Sequence, residues 1–468
     1  MADVKTPIAD FVYKYAEKQT ARFHMPGHKG VPVLGTEPFD ITEIAGADQL
    51  YAPDGVIAES EEIASALFGT AHTFYSTEGS TLAIKAMLSL IATRANKERV
   101  TVLAARNVHK AFVYAAATLD LDVKWLYPSE NTHLCACPVT KEAVSQALSE
   151  SESEISAVYL TSPDYLGNLA DVKGIAEVCR ERNIPLLVDN AHGAYLAFHT
   201  ESLHPIHLGA TMTADSAHKT LPVLTGGAYL QIAKDADEYF VNNARSAFAF
   251  FASTSPSYLT LASLDLANRY LADGYGEKYA ACLTELDKLC QRLEAMGISC
   301  YRGEPLKVTV NAHSLGATGR ELALYLAERG VEVEFYDREL LVLMATPQNS
   351  AADFVRLEGA LASFVETREI LSETSSETSR EKSSETLRED FPNPPAIPSL
   401  PLALSIRRAL LSPVETVSLE DAEGRIAASP TVSCPPAIPI VISGEVITKK
   451  AVAALRYYGF DRVSVIMK

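Results

Sequence analysis

Between residues 60 and 232 the chain alternates two spacings of apolar positions. Helical spacing recurs at 59–68, 80–94, 108–118, 140–149 and 171–182, and short apolar runs suited to strands fall at 100–105, 123–127, 155–160, 184–189, 208–215 and 227–232. The alternation predicts an α/β domain whose mainly parallel sheet is covered by helices on both faces. Sheets of this kind take ligands at the carboxyl ends of their strands. The residues that directly follow each run are therefore the first places to look for chemistry.

On either side the pattern changes. Ile8, Phe11, Val12 and Tyr15 predict a short N-terminal helix, followed by Arg22-Phe23-His24-Met25-Pro26-Gly27-His28-Lys29-Gly30. Pro26 and Gly27 make that stretch a loop, so His24 and His28 do not share a helix face as a metal pair would. A long helical pattern from Tyr258 to Met296, weakened near Gly274 and Gly276, leads into a strand, strand, helix (320–329), strand (331–335), strand (340–345), helix (351–370) pattern. Ser-Glu-Thr repeats at 372–386 and prolines to Pro401 read as linker. A helix at 402–411, a strand at Ile438–Ile442, a helix at 448–458 and a strand at Val463–Met467 follow. The expected units are an arm and loop (1–40), a large domain (41–270), a small α+β domain (271–371), a linker (372–400) and a C-terminal cap (401–468).

Composition narrows the partners more than the fold. At 468 residues two or three domains are expected. A formal net charge of -18 opposes general binding to nucleic acid or anionic membrane and suits a cationic small molecule. Seven cysteines, at 135, 137, 179, 282, 290, 300 and 434, are an odd number without a CxxC pair, as in a reduced cytoplasmic protein. Cys135-Ala136-Cys137 has no second cluster near it to complete a metal site. No signal pattern and no membrane-length apolar run stands out.

The chemistry concentrates in Asp215-Ser216-Ala217-His218-Lys219-Thr220. A lysine alone is an ordinary surface charge. One that follows an apolar strand among small and hydroxyl residues can be desolvated, and can then form a Schiff base with a carbonyl such as that of pyridoxal phosphate. That cofactor needs an anion at its ring nitrogen, and Asp189 ends the apolar run Pro185-Leu186-Leu187-Val188. It also needs donors for its phosphate. Glu78-Gly79-Ser80-Thr81 opens a helix with backbone N–H groups and hydroxyls, and Ser216 adds one more. His109, after another strand, could lie flat on the ring, and His192 could reach the cofactor's phenolic oxygen.

These residues resemble the Orn/Lys/Arg decarboxylase family of fold-type I pyridoxal phosphate enzymes, which have the aspartate aminotransferase fold. The matching stretches are Phe23 to Gly30, Asn107-Val108-His109-Lys110, Asp189-Asn190-Ala191-His192-Gly193, Ser216 to Pro222, Thr254-Ser255-Pro256-Ser257-Tyr258, and Pro439 through Gly444-Glu445. The length is similar to the family's short form, without a wing domain. The resemblance implies decarboxylation of arginine, lysine or ornithine, with Lys219 carrying the cofactor, Asp189 at its ring nitrogen, His109 on its face, and Ser80, Thr81, Ser216 and His218 on its phosphate. It further implies a homodimer or larger homo-oligomer in which Thr254 and Ser255 approach the partner's cofactor. Glu445 is the candidate carboxylate for the substrate's side-chain cation. Two positions depart from the pattern: Glu78 stands where relatives carry Asn-Gly or similar, and Gly226-Gly227 replaces a common Thr-Gln. Transamination or elimination on the same fold would give no CO₂, and a non-enzymatic relative would bind cofactor without turnover.

Overall fold

Seven strands form the central sheet of the computed structural model, which describes residues 4–128, 132–378, 395, 397–432 and 436–468. They are β1 (His72–Ser76), β2 (Thr101–Ala105), β3 (Asp122–Leu126), β4 (Ile155–Thr161), β5 (Leu186–Asp189), β6 (Met212–Asp215) and β7 (Ala228–Ile232), in spatial order β1-β7-β6-β5-β4-β2-β3. Only β7 runs against its neighbours. Thr161 pairs with Asp189 and Asp189 with Ala214, so β4, β5 and β6 end side by side. Strands covered on both faces need no polar alternation. All five residues of β2 and all five of β7 are buried.

The helix Gly79–Ala95 has no solvent face over most of its length. From Leu82 to Ile91 every residue except Lys85 is buried, as expected for a helix enclosed by the core on all sides. Its first turn points at the carboxyl edge of the sheet and so delivers Ser80 and Thr81 there.

A second sheet holds β8 (Cys300–Tyr301), β9 (Lys307–Asn311), β10 (Phe335–Tyr336) and β11 (Leu340–Met344) in order β10-β11-β9-β8, with Tyr275–Ala295, Gly319–Ala327 and Ala351–Thr378 as its helices. In the C-terminal segment β12 (Val414–Ser418) pairs with β13 (Arg462–Ile466), and the helix Lys449–Tyr457 precedes β13. The single long helix expected from Tyr258 to Met296 is two helices, Tyr258–Ala272 and Tyr275–Ala295. They break where Gly274 takes φ +69°, a left-handed conformation that favours glycine. β1, β12 and the helix Glu238–Ala249 were not expected from the apolar pattern. Ile438–Ile442 is buried irregular chain that makes one bridge, Thr431 to Val441, and not a strand. Of the expected linker, 379–394 and 396 lie outside the described residues, while Ile397 and Leu400 are buried in the C-terminal core.

Arg106, at the end of β2, ties the C-terminal segment to the large sheet. It is fully buried, donates to the carbonyls of Pro439 (2.7 Å) and Ile440 (3.1 Å), reaches Glu445 Oε2 at 3.4 Å and lies over the Trp125 ring. Removing one member of a buried ion pair leaves the other charge without compensation, which costs about 3–5 kcal/mol. Arg106→Leu should lower unfolding stability in urea by about that amount, and Arg106→Leu/Glu445→Leu should recover much of the loss. Equal losses in the two variants would show that the guanidinium acts only through the two carbonyls.

Candidate active site

The carboxyl ends of β1, β2, β4, β5 and β6 surround a cavity of about 190 Å³ lined by Ser80, His109, Asp189, His192, Ser216 and Lys219, among others. The loop after each strand contributes to it, as the sheet's topology requires. Under the floor, Asp215 holds the loops in place. Its buried carboxylate accepts from Asn190 Nδ2 (2.9 Å) and Gln231 Nε2 (2.6 Å) and lies 2.8 Å from His204 Nε2. This links the turn after β5 to the turn after β6.

Lys219 sits on the one-turn helix Ala217–Thr220, its Nζ 2.9 Å from His192 Nε2. Asp189 is 2% exposed. Its Oδ1 accepts the Ala191 N–H at 3.2 Å, and its Oδ2 has a weak donor in the Tyr159 hydroxyl at 3.4 Å. Burial pushes its carboxyl up to about 6, and a charge on Lys219, when that lysine is protonated, would pull it back down.

Three histidines around the lysine are held neutral. Burial above all lowers His109 to about 4, with Lys219, when protonated, and Lys110 adding to it. Its Nδ1 accepts the Ala111 N–H at 3.1 Å and so caps the helix Lys110–Leu119. Burial, followed by Lys219 and then Lys307, drives His192 well below the ordinary histidine range. His218 is lowered chiefly by burial, and its Nδ1–H donates to the Gly227 carbonyl at 3.0 Å.

The opposite end of the cavity is rich in donors. The helix Gly79–Ala95 has no side-chain cap, so its first N–H groups have no side-chain acceptor, and the Ser216 hydroxyl donates to Ser80 Oγ at 2.8 Å. Gly79 N–H donates to the Gly226 carbonyl at 2.7 Å. Gly226 has φ +97°, and a Cβ there would lie 2.7 Å from the Thr77 carbonyl oxygen. Close backbone approach between the two turns accounts for glycine at 226. Gly227 accepts from both the backbone and the ring of His218, and a Cβ on it would strike Val223.

Four expected site residues lie outside the lining of this cavity. Glu445 is buried and not among the cavity's lining residues; its Oε2 is paired with Arg106 and accepts the Ile442 N–H at 2.7 Å. The geometry gives it a partner in Arg106 and offers no support for the expectation that it binds substrate. Glu78 begins the donor turn, but its carboxylate faces away and accepts the Ser253 N–H at 2.8 Å. Thr254 and Ser255 are exposed and outside their own chain's cavity. Sequence reasoning missed Asn107, Thr161, Pro163, Tyr165, Pro436 and Ile438 in the lining. Asn107 lies just past β2, Thr161 ends β4, and Pro163 and Tyr165 are in the loop after it, so the strand-end rule could have found them.

Residues 6–305 match the family described as Orn/Lys/Arg decarboxylase, major domain, and residues 386–463 match its C-terminal domain. The chain belongs to this family. It is 30% identical over 479 aligned positions to the arginine decarboxylase of Bacillus subtilis, covering 97% of this chain and 93% of that one. The constitutive lysine decarboxylase of Escherichia coli is 23% identical over 315 positions, 59% of this chain and 42% of that one. In fold the chain is similar to the lysine decarboxylase of Francisella novicida, with a TM-score of 0.77 at 18% identity, covering 99% of this chain and 82% of that one. The fold is that of the family, a fold-type I pyridoxal phosphate enzyme.

The cavity fits pyridoxal phosphate. It offers an amine, a buried carboxylate that lacks a strong donor, and an uncapped helix N-terminus flanked by hydroxyls. The carboxylate provides a test that needs no cofactor. Below about pH 4 Asp189 is protonated in both the folded and the unfolded chain and costs nothing. As pH rises through about 6 the folded chain must ionise a group that the unfolded chain has already ionised, and stability falls. Asp189→Asn should therefore raise the stability of the cofactor-free protein at about pH 8 by up to about 3 kcal/mol, with little gain near pH 4. A gain that does not vary with pH would remove the carboxylate as its cause.

Proposed function

We propose that this pyridoxal phosphate-dependent decarboxylase of basic amino acids takes arginine as its substrate. The observation that carries the reading is a lysine, a buried carboxylate and an uncapped helix N-terminus sharing one cavity. For arginine the support is the relatives named arginine decarboxylase, which match nearly end to end, whereas those named lysine decarboxylase match over 56–59% of this chain.

In this reading Lys219 holds the cofactor by its aldehyde, Asp189 faces its ring nitrogen and His109 covers one face of the ring. Ser80, Thr81, Ser216 and His218, with the first N–H groups of the helix Gly79–Ala95, hold its phosphate. Glu78 sets the turn without touching the phosphate. The bound cofactor supplies an electron sink for the pair released when the substrate's carboxylate leaves as CO₂. Asp189, ionised beside a cationic ring nitrogen, keeps that sink charged. Neutral His109 and His192 add no positive charge that would hold the departing carboxylate. The proton that replaces CO₂ on Cα is delivered inside the cavity, where Lys219 Nζ and His192 Nε2 stand 2.9 Å apart.

Glu334 takes the role expected of Glu445 from the sequence. The hydroxyl of Tyr165, which lines the cavity, donates to Glu334 Oε1 at 2.6 Å, and the charge of Glu334 is felt at His218. Among the described residues Glu334 makes no ion pair, whereas Glu304, Asp337 and Glu445 face Lys307, His133 and Arg106. A carboxylate without an ion pair, held behind the lining residue Tyr165, suits a guanidinium. A second copy of the chain completes the rim and brings its Thr254 and Ser255. Phe23 at 99% exposure and Leu34 at 88% support such a partner, since large apolar side chains left in water mark contact surfaces.

CO₂ release from arginine, lysine and ornithine with added cofactor tests the activity. Arginine should turn over fastest, and Lys219→Ala should release none and lose the absorbance of bound cofactor. Release from lysine or ornithine alone would overturn the choice of substrate. Glu334→Gln should raise KM for arginine roughly 30-fold, about 2 kcal/mol, with a smaller change in kcat; an unchanged KM would remove Glu334 from substrate binding. Light scattering should give at least the mass of two chains, and Phe23→Ser/Leu34→Ser should shift it toward one.

A further inference from the structure

Lys307 is a lysine shut away from water. It lies on β9 of the second sheet and is 1% exposed. Its Nζ meets three groups: Glu304 Oε1 at 2.5 Å, the Asp164 carbonyl oxygen at 3.1 Å and His192 Nδ1 at 3.2 Å. Glu304 is fixed in turn by the Tyr195 hydroxyl, which donates to its Oε2 at 3.1 Å. An ammonium has three N–H donors and no lone pair. It pairs with the carboxylate and donates to the carbonyl, and because it has no lone pair His192 Nδ1 must be the acceptor in its contact.

That assignment fixes the rest of the ring. A neutral imidazole that accepts at Nδ1 carries its hydrogen on Nε2. Nε2 is the atom 2.9 Å from Lys219 Nζ. Two donors do not share so short a contact, so Lys219 must present a lone pair.

We propose that Lys307 is a positioning residue: by fixing the proton of His192 on Nε2, it holds Lys219 as the uncharged amine that captures the cofactor's aldehyde. The proposal rests on the reading of Lys219 given above. In the capture step the amine nitrogen forms its bond to the aldehyde carbon, and its two hydrogens leave with the aldehyde oxygen as water. A charged lysine would first have to lose a proton, and in this setting none has to be lost. Among the described residues, the titratable groups seen facing this relay include His109, His218 and Asp189 in the cavity, and Asp164, Glu304 and Tyr165 behind it. Of these the histidines are neutral, Glu304 is committed to Lys307, and Asp189 lies on the Lys219 side. The ammonium of Lys307 is therefore the charged donor on Nδ1.

Two measurements on the cofactor-free protein test this. Nitrogen-15 NMR of labelled histidine should find His192 in the Nε2–H form in the wild type and in a mixture of forms in Lys307→Met/Glu304→Gln, a pair chosen so that no buried carboxylate is left alone. Rapid mixing with pyridoxal phosphate, followed by absorbance, should give a capture rate nearly independent of pH between about 6 and 9 in the wild type. In the double variant the rate should fall about tenfold for each pH unit below the lysine's pKa, as for an unassisted amine, and approach the wild type at high pH. Lys307→Arg, which keeps a cationic donor, should restore the flat profile. An Nδ1–H form in the wild type, or the same pH profile in wild type and double variant, would overturn the proposal. Covalent capture that survives Lys219→Ala, seen as added mass after borohydride, would instead overturn the reading of Lys219. The NMR result, which needs no cofactor, would still judge Lys307.

Discussion

A carboxylate buried without a cation is the constraint around which this protein is arranged. Asp189 ends β5 with its charge poorly met, and the protein tolerates it because the surrounding loops cannot move away. The paired ends of β4, β5 and β6 fix its depth. Asp215, locked by Asn190, Gln231 and His204, fixes the turns on either side. Rigidity beneath the cavity thus maintains a local electrostatic deficit that a cationic ring nitrogen can relieve. Preorganisation of this kind places the cost of the charge in folding and leaves its benefit for binding.

The histidines solve a related problem. A lysine that is to act as an amine needs neighbours that do not protonate it. Three imidazoles line its cavity, kept neutral by burial, each with a proton position set by a fixed partner: the Ala111 N–H for His109, the Gly227 carbonyl for His218, and, as proposed, Lys307 for His192. The partner of His192 comes from the second sheet. The smaller unit therefore contributes to proton placement inside a cavity built mainly by the larger one.

Much of this was legible in the sequence, and the reason is topological. Lys219, Asp189, His109 and Ser216 all end or closely follow apolar runs, and in a parallel sheet that position is the site's edge; Ser80 was legible instead from the glycine and hydroxyls that open its helix. Lys307 and Glu334 carry no such mark, and Arg106, which does follow β2, gives no sign of its partner. Their partners lie more than a hundred residues away in sequence, and only the packed chain brings Lys307 to His192, Glu334 to Tyr165 or Arg106 to Glu445. Glu445 misled for the same reason, because a glutamate after a glycine reads as exposed until its buried guanidinium is known. Gly226 was noticed as a departure but needed coordinates to be understood, since the oxygen that a side chain would strike belongs to Thr77.

The contact between Glu78 and Ser253 joins two parts of the molecule that otherwise have separate tasks. One end of it is the turn that opens the donor-rich helix, and the other is the exposed loop carrying Thr254 and Ser255. In the proposed assembly, whatever free energy passes between cofactor and subunit through this contact must pass equally in both directions. Loading the cavity would tighten the assembly by the same factor by which assembly tightens the hold on the cofactor. At low protein concentration, loss of cofactor and dissociation of subunits would then accelerate one another.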